Sequence, residues 1–276
     1  MTSQDRATLV NLLVTDSDMR RTLLLSMLML AQPALAGDLR GGFDARDDLG
    51  WSGAYAGVFA GLAASSGRAA LSDYSGMILP ADVAYGLFPQ AIKDNRTKPF
   101  AGAMAGFNVQ SGPFVGGVEA DIGYAWTKAH HTFSRLDDTH VIAPFDINTN
   151  TRYETDFGLL ATLRARGGYA FGNTLLFATA GLAAGDVANR FALAMPEIGY
   201  SSPDWSTSGL RLGYALGAGV EHRLNEGVSI RFETLYVNLA DRVIAATDPA
   251  AFPGESISYR FANDVVSPRL GVNVKF

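Results

Sequence analysis

Cysteine is absent from all 276 residues, so no disulfide can staple this chain and a small disulfide-bonded secreted scaffold is excluded. Charge of one sign is also missing. The 22 basic and 27 acidic residues are mixed along the sequence and leave a net charge of -5, with no basic stripe to suggest nucleic acid. Long apolar runs are scarce too. The apolar stretch at residues 23–31 is far short of the roughly 20 residues that a spanning helix needs, and no longer one follows it. What the chain has instead is glycine, 30 residues of it, together with 11 % aromatics. That pairing suits glycine- and aromatic-rich β-barrels.

The stretch "MRRTLLLSMLMLAQPALA" begins at Met19, carries Arg20 and Arg21, runs through an apolar core and closes on Ala34, Leu35 and Ala36. This is the pattern of a secretory signal peptide at residues 19–36, with cleavage expected between Ala36 and Gly37. Residues 1–18 carry acids ahead of the basic region and read as an upstream extension of a true start at Met19. Residues 37–50 are expected to form a periplasmic lead and residues 51–276 the folded domain.

Eight segments in that domain alternate with period 2. The most telling is "FVGGVEADIGYAW", with Phe114, Val118, Ala120, Ile122, Tyr124 and Trp126 on one face and Glu119 and Asp121 on the other. In "TDFGLLATLRARGGY", Phe157, Leu159, Ala161, Leu163, Ala165 and Tyr169 oppose Arg164 and Arg166. Later segments set Arg211 and Glu221, then Arg231 and Glu233, and finally Arg269 opposite large apolar residues. Short turns at 111–113, 171–173 and 225–227 alternate with long connections at about 65–97, 127–154, 186–206 and 240–258. This sorting predicts an all-β fold: an eight-stranded antiparallel transmembrane β-barrel with short periplasmic turns and four long extracellular loops.

The apolar face, with aromatics near the strand ends, is then the lipid-facing wall. The other face is glycine-rich and carries Glu119, Asp121, Glu221 and Glu233 with Arg164, Arg166, Arg211, Arg231 and Arg269. Side chains fill an eight-stranded barrel, so these charges are expected to meet as a salt-bridged plug. The last segment, "SPRLGVNVKF", breaks off on Phe276 in mid-alternation. It is expected to pair with the first strand, because a closed barrel leaves no backbone edge in lipid.

The segments "WSGAYAGVFAG", "AGAMAGFNVQSGPFVGGVEADIGYAW", "ATLRARGGYAFGNTLLFATAGLAAG", "YALGAGVEHRLNEGVSIRFETLYVNL" and "PRLGVNVKF" resemble the short outer-membrane β-barrel family of alphaproteobacterial surface proteins, which includes major surface antigens and hemin-binding proteins. A more distant likeness is to the transmembrane domain of OmpA. The resemblance covers the strands and turns but not the long connections. It implies a cell outer-membrane location and assembly by machinery that reads Phe276 as a terminal aromatic signal. Family members are described as structural, adhesive, porin-like or hemin-binding.

Other residues give weaker signals. His130, His131 and His140 lie near Asp137 and Asp138, but their spacing matches no usual metal pattern, and they read as solvated loop residues. His222 follows Glu221 and is expected at the lipid face or periplasmic rim. No nucleophile, histidine and carboxylate fall on neighbouring strand ends, so no enzyme is expected, and no cofactor either, with hemin the one alternative. The function expected is a closed-lumen barrel serving envelope structure and surface interaction. A small porin-like channel and a hemin-binding or adhesion receptor are the alternatives. Expected partners are outer-membrane lipid and lipopolysaccharide, the assembly machinery, and peptidoglycan or host surface molecules.

Overall fold

The computed structural model describes residues 50–125, 128–137 and 146–276. The expected upstream segment, signal and lead fall outside these residues apart from Gly50, and so do Trp126, Asp138 and His140. The described strands are β1 (Gly53–Ser75), β2 (Ala91–Ser111), β3 (Phe114–Ala125), β4 (Lys128–Asp137), β5 (Ile147–Phe171), β6 (Thr174–Met195), β7 (Tyr200–Ser201), β8 (Trp205–Arg223), β9 (Val228–Ala246) and β10 (Ser256–Lys275). One short helix, α1 (Leu79–Ala84), lies between β1 and β2.

Every ladder is antiparallel, and the strands close into a ring of eight in which β3 and β4 successively occupy one position beside β5. Closure is made by β1 and β10, in register from Tyr55↔Lys275 through Gly61↔Arg269. The Phe276 amide donates to the Ala54 carbonyl at 2.9 Å. No ladder edge is left open at this level, which is the condition for crossing a bilayer.

Alternation decides what faces out. On β3, Phe114, Val118, Ile122 and Tyr124 are all exposed, while Glu119 and Asp121 are buried. Ten residue steps separate Phe114 from Tyr124. At about 3.4 Å per step and a tilt of about 40° they span about 26 Å, the height of a barrel's apolar band. Phe114, Tyr169 and Phe171 cluster beside the turns, with ring centroids 4.7–5.4 Å apart, and mark the periplasmic girdle. Tyr214 and Tyr236 pair at 6.1 Å and mark the outer one.

The strands run well beyond this band. β1 has 23 residues and β5 has 25, against about 9–11 needed to cross. The expected long loops are therefore largely strand. Their outward residues turn polar, as at Asp186 and Arg190, while inward positions stay apolar, as at Val187, Phe191 and Leu193. Phe157 also departs from the expected lipid face. A register shift between Phe157 and Leu160 adds a residue to β5 relative to β6, which reverses the parity on its extracellular side and turns Phe157 towards the inner cluster.

Above the band the ring divides. The β8–β9 ladder stops at Gly213↔Leu239 and the β2–β3 ladder at Phe100↔Ala125. Beyond those pairs, among the described residues, β9, β10, β1 and β2 form one sheet and β4, β5, β6 and β8 another. An apolar core joins the two. Tyr259 of the first sheet stacks on Phe191 of the second and meets Tyr153 edge-on, both at 5.2 Å. The molecule is a barrel in the membrane and a two-sheet sandwich above it.

Candidate functional site

The lumen at membrane level holds a layer of charge. Arg164, from β5, is its centre: its guanidinium donates to Glu119 at 2.5 Å, Asp121 at 2.6 Å, Glu233 at 2.6 Å, Thr179 Oγ1 at 2.7 Å and Thr162 Oγ1 at 3.0 Å. Arg231 grips both oxygens of Glu119 and reaches Glu233 at 3.0 Å. Arg269 bridges Glu233 at 2.6 Å and Asp121 at 3.0 Å. Arg166 pairs with Glu221, which also accepts from Ser229 and from Asn273 Nδ2.

Eight of the nine charges that the alternation assigns to the lumen meet here, four acids and four arginines. The layer is electrically balanced, and the side chains in it are at most 5 % exposed. Bidentate arginine contacts of this kind are the strong ones. Arg211 is the exception. It lies on the same side of β8 but further out, where its guanidinium donates to Thr207 Oγ1 at 3.3 Å. Among the described residues it has no carboxylate within 4 Å. Strand register sets this, since Arg211 stands opposite Gly185 whereas Glu221 stands opposite Arg231.

Sequence alternation missed the layer's neutral members. Tyr55 donates to Glu119 Oε2 at 2.6 Å, and Thr162 donates to Asp121 at 2.8 Å. The Phe177 ring lies 4.1 Å from the guanidinium carbon of Arg166 and 4.6 Å from that of Arg231, and Phe59 lies 4.5 Å from that of Arg269. Such ring faces attract desolvated cations. Parity shows that Tyr55, Phe59 and Phe177 can face inward, but not at which height.

Glycine makes room for the arginines. A Cβ on Gly217 would lie 2.5 Å from Thr179 Oγ1, 2.8 Å from Glu233 Oε1 and 3.1 Å from Arg164 Nη1, atoms already held in the network. Gly217→Val is expected to destabilise the barrel by about 1–3 kcal/mol through overpacking. A Gly217→Val unfolding midpoint equal to wild type in urea titration would show that the layer yields more easily than this geometry implies.

Apolar layers lie on both sides of the charges. Trp51, Val115, Leu175 and Phe177 lie on the periplasmic side, beside the polar Asn108, Arg223, Ser229 and Asn273, and Phe59, Phe100, Leu160, Leu235, Val237 and Leu239 are among those above. Higher still, the β1–β2 connection folds over the mouth and buries Leu79, Val83, Leu87 and Phe88 in the outer core. Glu255, in the β9–β10 connection, clasps this lid by accepting from the Met77, Ile78 and Leu79 amides at 2.7–3.0 Å. Gly76 has φ +134°, and a Cβ there would fall 2.0 Å from Glu255 Oε2.

Burial raises the Glu255 carboxyl, but the three amides outweigh it and hold the group below its ordinary value. A depressed carboxylate stabilises the fold above the unfolded pKa and loses that contribution as pH falls through the folded one. Deuterium exchange at residues 77–88 is accordingly expected to quicken as pH drops through the acid range, after correction for intrinsic rates. Glu255→Ala is expected to quicken it roughly five- to tenfold at neutral pH. Unchanged protection in that variant would show that the apolar contacts hold the lid without the clasp.

Of the remaining candidates, His222 is exposed, with Nδ1 2.9 Å from Thr174 Oγ1 at the periplasmic rim. His130 and His131 fall in β4, within the extracellular hairpin. Phe276 is 79 % exposed below the last ladder pair.

A closed ring of eight antiparallel strands, an outward apolar band between aromatic girdles, and arginines and carboxylates turned inward define a transmembrane β-barrel of the outer-membrane kind. The chain belongs to the outer membrane protein beta-barrel domain family, which it matches over residues 22–263, and its place is the outer membrane. It is similar to the 31 kDa outer-membrane immunogenic protein of Brucella melitensis, 27 % identical over 238 residues that cover 83 % of this chain and 85 % of the relative. It is also similar to the 22 kDa outer membrane protein of Rhizobium leguminosarum, 29 % identical over 184 residues, covering 66 % and 69 %. Among solved structures it resembles OprG of Pseudomonas aeruginosa, with 15 % identity, a TM-score of 0.45 and coverage of 82 % of this chain and 96 % of that one.

Proposed function

We propose that this barrel is non-conducting, serves the structure of the outer membrane, and presents its extracellular extension for surface interaction. The observation that carries the reading is the balanced layer of four arginines and four carboxylates, at most 5 % exposed, with a broad apolar cluster above it and a smaller one on its periplasmic side. A small channel for ions or solutes needs a hydrated path, and buried ion pairs between apolar layers offer none.

The extension supports the second half of the reading. It carries apolar side chains beyond the reach of lipid, Met77 and Tyr85 on the lid and Ile198 on the β6–β7 connection, all exposed. Rigid strands bearing exposed apolar groups suit a surface that meets other macromolecules. Relatives whose names call them immunogenic are in keeping with such display.

Proteoliposome swelling tests the reading. Vesicles carrying the folded protein are expected to swell in small neutral solutes no faster than protein-free vesicles. Swelling at the rate of an open porin would overturn it.

A further inference from the structure

The ladder between β8 and β9 ends at Gly213↔Leu239, next to the Tyr214–Tyr236 pair that marks the outer edge of the hydrocarbon. Above it, among the described residues, 205–212 of β8 are paired only with β6, and 242–246 of β9 only with β10. A slit therefore opens in the wall at headgroup depth. Gly213 is its floor, and its roof is the hydrogen bond from Trp205 Nε1 to the Thr247 carbonyl at 3.2 Å. In hydrocarbon such unpaired edges would be prohibitive, so the wall opens only where headgroups and water begin.

Arg211 stands beside this slit. It is half-buried, and its Nε is buried with no hydrogen-bond partner among the described residues. Arg242 is exposed on the β9 side. Of the carboxylates nearby, Asp241 faces Arg260 at 4.0 Å, Asp264 accepts from Tyr236 at 2.9 Å and Asn238 at 2.5 Å, and Asp186 is exposed on the outward face of β6 opposite Leu210, the face opposite to the one that carries Arg211. On the outward face of β8, Leu210 and Leu212 are 69 % and 67 % exposed. Cationic donors set beside apolar side chains at this depth match an anionic amphiphile, with an oxyanion on the guanidinium and the acyl chain running down past Leu212 and Tyr214 into the hydrocarbon.

We propose that the β8–β9 slit binds the phosphate-bearing headgroup of an outer-leaflet lipid, with Arg211 as the principal phosphate ligand. The molecules that surround the barrel at this depth are outer-leaflet lipids. An arginine with no carboxylate within 4 Å among the described residues, next to strand-edge amides, offers the donors that a phosphate takes.

The experiment is a native mass spectrometry titration of the detergent-solubilised barrel with bisphosphorylated lipid A and with its dephosphorylated form. Wild type is expected to bind the phosphorylated lipid roughly tenfold more tightly. Arg211→Gln should remove most of that preference and Arg211→Lys restore part of it. Arg68→Gln, on β1 away from the slit, should leave it intact. Equal binding of the two lipids by wild type, or an Arg211→Gln protein that keeps the full preference, would overturn the proposal. So would an equal loss in Arg68→Gln, which would mark general surface charge, or displacement of the lipid by millimolar inorganic phosphate, which would mark a free-anion site. Should Arg211→Gln not fold, as judged by heat-modifiable gel migration, the wild-type comparison of the two lipids still decides.

Discussion

Glu119→Ala is expected to lower the unfolding stability of the barrel by about 3–5 kcal/mol, the cost of leaving buried charge without its partner. Glu119 accepts from Arg164, Arg231 and Tyr55, and all of these are buried. Its removal turns a balanced layer of four acids and four arginines into one with an excess positive charge. Tyr55→Phe, which deletes one neutral donor and no charge, is expected to cost only about 1 kcal/mol. Urea unfolding of the two variants in micelles separates the effects. Equal small losses would mean that the layer is held by hydrogen bonding and not by charge balance.

Val118→Arg, one residue earlier on the same strand, is expected to cost about 2–4 kcal/mol by a different route. Val118 points outward near the middle of the band that Phe114 and Tyr124 bound, and it is 57 % exposed to what is lipid in the membrane. An arginine there meets hydrocarbon, while the lumen layer is untouched. The penalty is therefore expected in bilayer vesicles but not in urea titrations of a detergent that lets water reach the site. A loss of the same size in both media would mean that Val118 packs against protein and not lipid.

The adjacency of these two residues shows why so much of the barrel could be read from the chain. A lipid wall requires an apolar residue at every second position and a filled lumen permits charge at the others, so parity alone separates Val118 from Glu119. Parity does not give height. Arg231 meets Glu119 across the lumen because strand register brings β9 level with β3, while Arg211, on an inward position of β8, stands above the layer for the same reason. The extra residue near Leu159 was also hidden, since the alternation through Leu163 and Ala165 carries no sign that it breaks before Phe157. The extracellular strands read as loops because their outward residues are polar and many of their inward ones are small, so the hydrophobic contrast that marks a strand in lipid fades in water.

Sealing of the lumen is the central claim, and ion current through the protein in a planar bilayer tests it most directly. Wild type should show no steady open level above the bare membrane, and Glu119→Ala, if it loosens the layer, should leak where wild type does not. A large, stable wild-type conductance that Glu119→Ala leaves unchanged would contradict the account, because ions would then be passing through a lumen that the charge layer does not close.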